Sequence, residues 1–251
     1  MKFYFFAIPF LLFVACQTPS ETSVNGESNP AAEGFNAADS DEKAIEIADQ
    51  VMRAMGGRKN WDNTRYIAWT FFGNRSLFWD KQTGDVQITY DSSKVRLNIY
   101  EDREGIAYEK GKAVTVDSML QVYLKKGKSV WINDAYWLVM PFKLKDSGVT
   151  LKYMGQDTIA GGEMAEVLAL TFKAVGDTPN NKYLVYVTPS DKLVKQWDYY
   201  TNASDSLARF STPWLDYQQY GNIMLSGKRG MGELTDIAVY DELPEDFEWL
   251  E

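Results

Sequence analysis

Two adjacent polar residues near the middle of the chain, Asn133 and Asp134, are the first candidates for chemistry. They lie in S-V-W-I-N-D-A-Y-W-L-V-M-P-F-K-L-K (Ser129–Lys145), which is otherwise rich in aromatic and aliphatic residues. A carboxylate in such surroundings must be ion-paired, hydrogen-bonded or raised in pKa. The pair could therefore hold the polar head of a ligand at the rim of a cavity. We favour the alternative that Asp134 forms a structural ion pair, because such pairs also perturb pKa values. Its candidate partners are Arg65, Lys143 and Lys145.

Other charged residues support weaker hypotheses. Lys143 and Lys145 would point the same way in an extended chain. They could then attract a phosphate or carboxylate head group, although ordinary solvated lysines are the alternative. Asp198 follows Trp197 among aromatic residues and is the best carboxylate for a hydrolase. Glycosidase-type chemistry needs two carboxylates at a defined separation, which sequence does not show. We therefore assign no catalytic residue and expect a protein that is not an enzyme.

Composition excludes several kinds of site. The chain of 251 residues has no histidine and one cysteine, Cys16. It therefore has no histidine general base, no Ser-His or Cys-His nucleophile pair, no His-ligated or Cys-rich metal site, and no intramolecular disulfide. We expect neither a metal nor a cofactor. The net charge of -9 disfavours nucleic acid as a partner, since like charges repel.

The N-terminal segment is typical of a secretory signal. Lys2 precedes the apolar run Phe3–Val14, which is too short to span a bilayer, and Ala15 precedes the only cysteine. The run F-V-A-C resembles the lipobox of bacterial lipoproteins. That resemblance implies that residues 1–15 are removed and that Cys16 becomes an acylated N-terminus that anchors the protein to a membrane. We expect a cell-envelope location at the outer membrane, with the domain in the periplasm or at the cell surface.

The elements that must position the candidate residues follow a tether. Residues 16–40 are rich in Ser, Asn, Gly, Pro and Ala and predict a flexible linker, and residues 41–251 predict a single domain. Helical spacing of apolar residues over 41–55 predicts a helix with Ser40 as N-cap. Two further helices are predicted at 117–126 and 129–141, with Gly127 between them.

Strand-like segments with close turns surround the two central helices. They run from Tyr66 to Val116 and resume at Val149. The predicted fold class is α+β: a long, strongly curved antiparallel sheet, or unclosed β-barrel, with an N-terminal helix. The central helices are expected to cover its concave face.

This order of elements resembles the lipoprotein-carrier superfamily (LolA/LolB-like) of the Gram-negative envelope, as does the segment A-M-G-G-R-K-N-W-D-N-T-R-Y. The stretch from Val130 to Tyr153, with T-P-N-N-K-Y and P-W-L-D-Y-Q-Q-Y-G, more narrowly resembles a family of uncharacterised Bacteroidota envelope lipoproteins. The superfamily resemblance implies an unclosed barrel with a helical lid around an apolar cavity for acyl chains. The narrower family has no established activity, so no catalytic residue is implied.

The leading hypothesis is a lipid-anchored protein whose cavity binds a lipid or a lipoprotein acyl chain, in a role such as lipoprotein sorting. The cavity candidates are Trp69, Phe71, Phe78, Trp131, Trp137, Met140 and Trp197. The candidates for a polar rim are Asn133, Asp134, Lys143 and Lys145. One alternative is an envelope scaffold that binds another protein through exposed aromatic residues. A hydrolase that uses two carboxylates is the last alternative.

Overall fold

The computed structural model describes residues 28–101, 104–173 and 175–251. The signal segment, the anchor candidate Cys16 and the first part of the tether lie outside the described residues. The α-helices are α1 (Glu42–Ala54), α2 (Arg58–Asn63) and α3 (Asp117–Val139). The strands are β1 (Tyr66–Phe71), β2 (Arg75–Asp80), β3 (Asp85–Tyr90), β4 (Ser93–Asn98), β5 (Gly105–Glu109), β6 (Lys112–Ala113), β7 (Val149–Thr158), β8 (Met164–Phe172), β9 (Lys182–Val187), β10 (Val194–Tyr200), β11 (Phe210–Pro213), β12 (Leu215–Tyr220), β13 (Ile223–Arg229) and β14 (Gly232–Tyr240).

The strands form two antiparallel sheets that do not close into a barrel. Nine strands pair in the order β12-β13-β14-β1-β2-β3-β4-β5-β6, and five pair in the order β11-β10-β9-β8-β7. Within each sheet, consecutive strands are neighbours because short turns favour antiparallel pairing, and β14 returns to pair with β1. The predicted α+β class with a long antiparallel sheet is confirmed, although the strands are divided between two sheets.

Helix α1 confirms the helix predicted over 41–55. Its buried face consists of Ala44, Ile47, Ala48, Val51 and Met52, and it packs on β7. Ser40 is not the N-cap as predicted, because Asp41 precedes the helix and the Ser40 hydroxyl instead donates to the carbonyl of Asn36. After the helix, Gly56 has φ +110°, and a Cβ there would lie 2.4 Å from the carbonyl oxygen of Asn222.

Helix α3 is one continuous helix, so the prediction of two central helices is wrong. Gly127 lies inside it, buried, rather than at the end of a first helix. A Cβ at Gly127 would lie 2.6 Å from Cδ2 of Leu97 and 3.2 Å from Cγ1 of Val95. Glycine therefore permits the close approach of helix and sheet here, and it does not end the helix because the residues before and after it also pack on the protein.

Residues 29–40, here called the N-terminal strap, are packed on the domain, so the prediction of a flexible tether up to Ser40 is wrong for this part. The Ala32 N–H donates to the carbonyl of Lys145 at 2.9 Å, and the Asn36 N–H donates to that of Val149 at 3.0 Å. In return the Gly148 N–H donates to the carbonyl of Gly34 at 2.9 Å. The strap runs parallel to residues 145–149, and these three backbone bonds hold it there.

Candidate functional site

A cleft of about 530 Å³ lies beside the second half of α3. One wall is the helix, and the opposite wall is formed by the ends of β8 and β9 and by the loop between them. The lining residues are Trp79, Ser129, Trp131, Ile132, Asn133, Ala135, Tyr136, Trp137, Val139, Lys143, Asp146, Ser147, Val149, Phe172, Val175, Gly176, Asp177, Thr178, Asn181 and Tyr183. The volume is within the range of about 300–1,000 Å³ that is usual for sites of small ligands.

Aromatic rings make the walls of this cleft stiff and apolar. The ring of Tyr136 stacks on Trp197 with centroids 5.8 Å apart and lies 5.5 Å from the ring of Tyr183. The Trp131 ring meets the edge of Trp79 at 5.3 Å. The hydroxyl of Tyr136 is buried without a hydrogen-bond partner among the described residues, and burial raises its pKa well above the ordinary value. The surroundings of this hydroxyl therefore have a low polarity.

The polar groups at the edge of the cleft are engaged with one another. Lys143 forms an ion pair with Asp146, and the Ser129 hydroxyl donates to Asp177. The amide of Asn181 donates to the Thr178 hydroxyl at 2.6 Å. Each of these charges and donors therefore has a partner already. This arrangement suits the rim of a binding site better than a reaction centre, because a reaction centre needs an activated group.

A second cleft of about 540 Å³ flanks the same helix towards β4. Its lining residues are Leu97, Asn98, Glu101, Glu104, Gln121, Leu124, Lys125, Lys128, Ser129, Ile132 and Asp177. The two clefts share Ser129, Ile132 and Asp177. The hydrogen bond between Ser129 and Asp177 thus lies at the border between an aromatic cleft and a charged one.

Asp134 is buried and forms a structural ion pair, as the favoured interpretation expected. Its partner is Arg75, and none of the three predicted partners, Arg65, Lys143 and Lys145, takes that place. The Arg75 Nε lies 2.7 Å from one carboxylate oxygen and its Nη2 lies 2.9 Å from the other. The amide of Asn133 adds a third donor at 2.9 Å. The bond to Asp134 is the main cause of the raised pKa of Arg75. This two-point contact joins α3 to β2.

The C-terminal turn of α3 is held by Arg229 of β13. Its guanidinium donates to the carbonyl of Trp137 at 2.6 Å and lies 3.6 Å from the ring of Trp214. Burial lowers the pKa of Arg229 to about 9. A cation at this place stabilises the C-terminal turn of α3, where the last carbonyl groups have no hydrogen-bond partner within the helix.

The structure brings some predicted site residues to the first cleft and places others elsewhere. Its lining includes Trp131, Trp137, Asn133 and Lys143. Trp69, Phe71, Met140 and Trp197 belong to the hydrophobic core. Phe78 stacks on Phe247 at the outer face of the nine-stranded sheet. Lys145 pairs with Asp49 and donates to the carbonyl of Asn29.

Asp198, the carboxylate proposed for a hydrolase, also lies outside both clefts. It accepts hydrogen bonds from the Tyr186 hydroxyl at 2.7 Å and from the Gln196 amide at 2.9 Å. Asp134, the buried carboxylate of α3, is paired with Arg75. The two carboxylates therefore occupy separate hydrogen-bond networks, and the described residues contain no group of three or more His, Cys, Asp and Glu that could hold a metal ion.

Sequence reasoning missed the wall opposite the helix. Phe172 and Tyr183 lie on β8 and β9, in which Tyr183 is opposite Leu170, and the loop between them adds Val175 and Asn181. Neither strand shows an alternation of aromatic residues, because Phe172 is the one aromatic residue of β8, and Tyr183 and Tyr186 of β9 lie on opposite faces. No sequence signal therefore marked these positions or the loop.

Similarity to solved structures is remote. A DUF1329 family protein from Desulfovibrio piger is 12% identical, with a TM-score of 0.44, and the alignment covers 80% of this chain and 95% of that one. A putative outer membrane lipoprotein-sorting protein domain from Vibrio parahaemolyticus is 8% identical, with a TM-score of 0.41 over 81% of this chain and 95% of that one. MucB, in complex with MucA(peri), is 12% identical, with a TM-score of 0.25 over 81% of this chain and 58% of that one.

No protein-family model matches the chain, and no curated protein matches it. The TM-scores of these structural neighbours are 0.44 or lower. Likeness at this level concerns the general shape and carries no ligand or partner over. The narrower resemblance to Bacteroidota lipoproteins stays a prediction. Among the described residues, the helices are too short or too polar to cross a membrane.

Proposed function

We propose that the domain binds an apolar ligand, a lipid or a lipoprotein acyl chain, in the aromatic cleft beside α3, as a lipid-anchored envelope protein without catalytic activity. The observation that carries the proposal is the cleft itself, about 530 Å³ in volume, with aromatic walls and a polar edge. Burial of an acyl chain contributes about 0.8 kcal/mol per methylene group. A cleft lined by Trp131, Tyr136 and Phe172 offers that burial.

The polar edge supports the binding of an amphiphile. Lys143, Asp146 and Thr178 lie on the lining where a head group would meet water, and the buried Asn181 is bonded to Thr178. Their charges and donors are paired with one another in the absence of a ligand. A head group can therefore exchange with these partners, whereas a reaction centre would need an activated group.

The N-terminal strap supports an arrangement in which the cleft stays near a membrane. The strap is bonded to Lys145 and Val149, and Val149 also lines the cleft. Between Cys16 and Asn29 the chain can reach at most about 45 Å. An acyl group on Cys16 would thus keep Asn29 within that distance of the bilayer surface. The cleft would lie no further from the bilayer than this distance plus the width of the domain.

The test is uptake of a fluorescent fatty acid, together with mass spectrometry of lipids that copurify with the protein. Ile132 lines both clefts, and Ile132→Lys places an ammonium group in an apolar wall. We expect this variant to bind the fatty acid about tenfold more weakly or worse, because the charge loses hydration when the acyl chain enters.

The matched control is Val122→Lys, the same kind of change on the same helix. Val122 is 65% exposed and lines neither cleft, so binding should equal that of the wild type. Equal binding by the two variants would exclude the cleft as the site. A purified protein that neither carries nor takes up lipid would refute the proposed function.

A further inference from the structure

The outer face of the nine-stranded sheet, opposite α3, carries a row of side chains across four strands. Phe78 of β2 is opposite Gln87 of β3, Gln87 is opposite Arg96 of β4, and Arg96 is opposite Ile106 of β5. Side chains at paired positions lie on the same face of a sheet. The row therefore presents, in order, an aromatic ring, an amide, a guanidinium group and an aliphatic side chain.

The end of the chain lies along this row. Residues 247–251, F-E-W-L-E, are here called the C-terminal strap. The Phe247 ring stacks on Phe78 with centroids 3.7 Å apart, and the Trp249 ring meets the edge of Phe78 at 5.5 Å. The guanidinium of Arg96 lies 4.9 Å from the centre of the Trp249 ring. Two aromatic side chains, two residues apart, thus hold the strap on the sheet.

Side chains of the sheet also bind the backbone of the strap. Gln87 accepts from the Leu250 N–H at 2.6 Å and donates to the carbonyl of Glu248 at 3.5 Å. Arg96 donates to the carbonyl of Leu250 at 3.3 Å, and the Tyr108 hydroxyl donates to that of Glu251 at 2.9 Å. Main-chain bonds together with pockets for alternate side chains are the usual way in which proteins bind extended peptides.

The connection to the strap is loosely held. Residues 241–243, 245 and 246 are exposed, and the strap is not paired in either sheet. A segment with few buried contacts opens at a low cost compared with the core. When the strap leaves, Phe78, which is 6% exposed, loses its contacts with Phe247 and Trp249 and keeps those with Tyr66 and Tyr240.

We propose that this row, with Tyr108, is a peptide-binding site that the chain fills with its own C-terminal strap, and that an extended segment of another polypeptide with aromatic residues two apart replaces it. The chemistry of the strap defines the ligand: aromatic rings for Phe78 and Arg96, and free backbone groups for Gln87. A second copy of the chain is the less suitable occupant because copies with a net charge of -9 repel each other.

The experiment measures binding of a labelled peptide, E-D-F-E-W-L-E, to the full chain by fluorescence anisotropy. The attached strap competes at a high effective concentration, so wild-type protein should bind the peptide weakly. Phe247→Ala with Trp249→Ala releases the strap, and this double variant should bind about tenfold more tightly or better. Leu243→Ala, an exposed position outside the strap, should bind like the wild type.

Two further measurements identify the site. Adding Gln87→Ala to the double variant should remove the gain in affinity, and the peptide E-D-A-E-A-L-E should not bind. Affinity for the double variant no greater than for the wild type, or a gain that survives Gln87→Ala, would overturn the proposal. A dimer of the wild-type chain that the peptide dissociates would assign the site to a second copy and overturn the choice of a separate partner.

A measurement on the wild-type chain covers the case in which the double variant does not fold. The Leu250 amide is bonded to Gln87, so displacement of the strap exposes it to water. Excess peptide should accelerate hydrogen exchange at Leu250, and the alanine peptide should leave the rate unchanged. An unchanged rate with both peptides would contradict the proposal.

Discussion

The two halves of α3 have the same backbone conformation but different surroundings. Residues 117–128 have one covered face: Leu124 and Gly127 are buried against the nine-stranded sheet, while Met119 and Val122 are exposed. Residues 129–139 lie between two sheets, since Trp131 meets Trp79 of the large sheet and Tyr136 meets Trp197 of the small one. A helix that is apolar on all sides requires cover on all sides.

The difference shows how each half is fixed. The first half relies on a close approach at one glycine, and the second half relies on a charged contact between Asp134 and Arg75. Packing tolerates small adjustments, whereas a buried charge that loses its partner does not. The same second half borders the aromatic cleft, so the ion pair also fixes the wall of the proposed ligand site.

The largest effect is expected from Asp134→Ala. Its side chain is fully buried and Arg75 is 27% exposed, so the change leaves a partly buried guanidinium unpaired. The free energy of unfolding, measured by urea denaturation, should fall by about 3–5 kcal/mol. The matched control is the exposed neighbour, Asn133→Ala, which removes one hydrogen bond and should cost about 1 kcal/mol or less. If the two variants lost equal free energy of unfolding, the ion pair would not be what holds the second half of α3.

Gly127→Ala should have the next largest effect. In an exposed helix this change stabilises by about 1 kcal/mol because alanine favours the helical conformation. Here the new methyl group would lie 2.6 Å from Leu97, so the expected result is a loss of about 1–3 kcal/mol from overpacking. Thermal and urea unfolding show whether the change in the free energy of unfolding is a loss or a gain. A stabilised variant would mean that the first half can move away from the sheet without cost.

The smallest effect is expected from Val122→Ala in the first half. Val122 is 65% exposed, so little burial is lost, and alanine is the better helix former. The free energy of unfolding should change by about 0.5 kcal/mol or less. A loss above about 1 kcal/mol in urea denaturation would show that this face is covered in solution, and the contrast between the halves would then disappear.

Local pattern was sufficient for much of the fold. Helix α1 followed from its apolar spacing, and strands β1 to β5 followed from alternation and close turns. The buried carboxylate at Asp134 was recognised as an ion pair because few other arrangements are stable among aromatic residues. Its partner was not recognised, since Arg75 is 59 positions away in the chain and only the tertiary structure brings the two together.

Features that depend on contacts between distant segments could not be predicted. Gly127 has the composition signal of a helix end, and only the position of Leu97 explains why the helix continues. Residues 29–40 resemble a linker because the bonds of Ala32, Gly34 and Asn36 to Lys145, Gly148 and Val149 include backbone pairs, which leave no trace in side-chain composition. The loop wall of the cleft, with Val175 and Asn181, was missed for the same reason.

The N-terminal strap has a mechanical consequence. A pulling force applied at the N-terminal end of the chain enters the domain at Asn29 and Ala32, whose backbone carbonyl and N–H are bonded to Lys145. The next bonds to take the load are those of Gly34 and Asn36 with Gly148 and Val149. These bonds border the cleft, so tension on the chain would deform the edge of the ligand site before it reached the core strands.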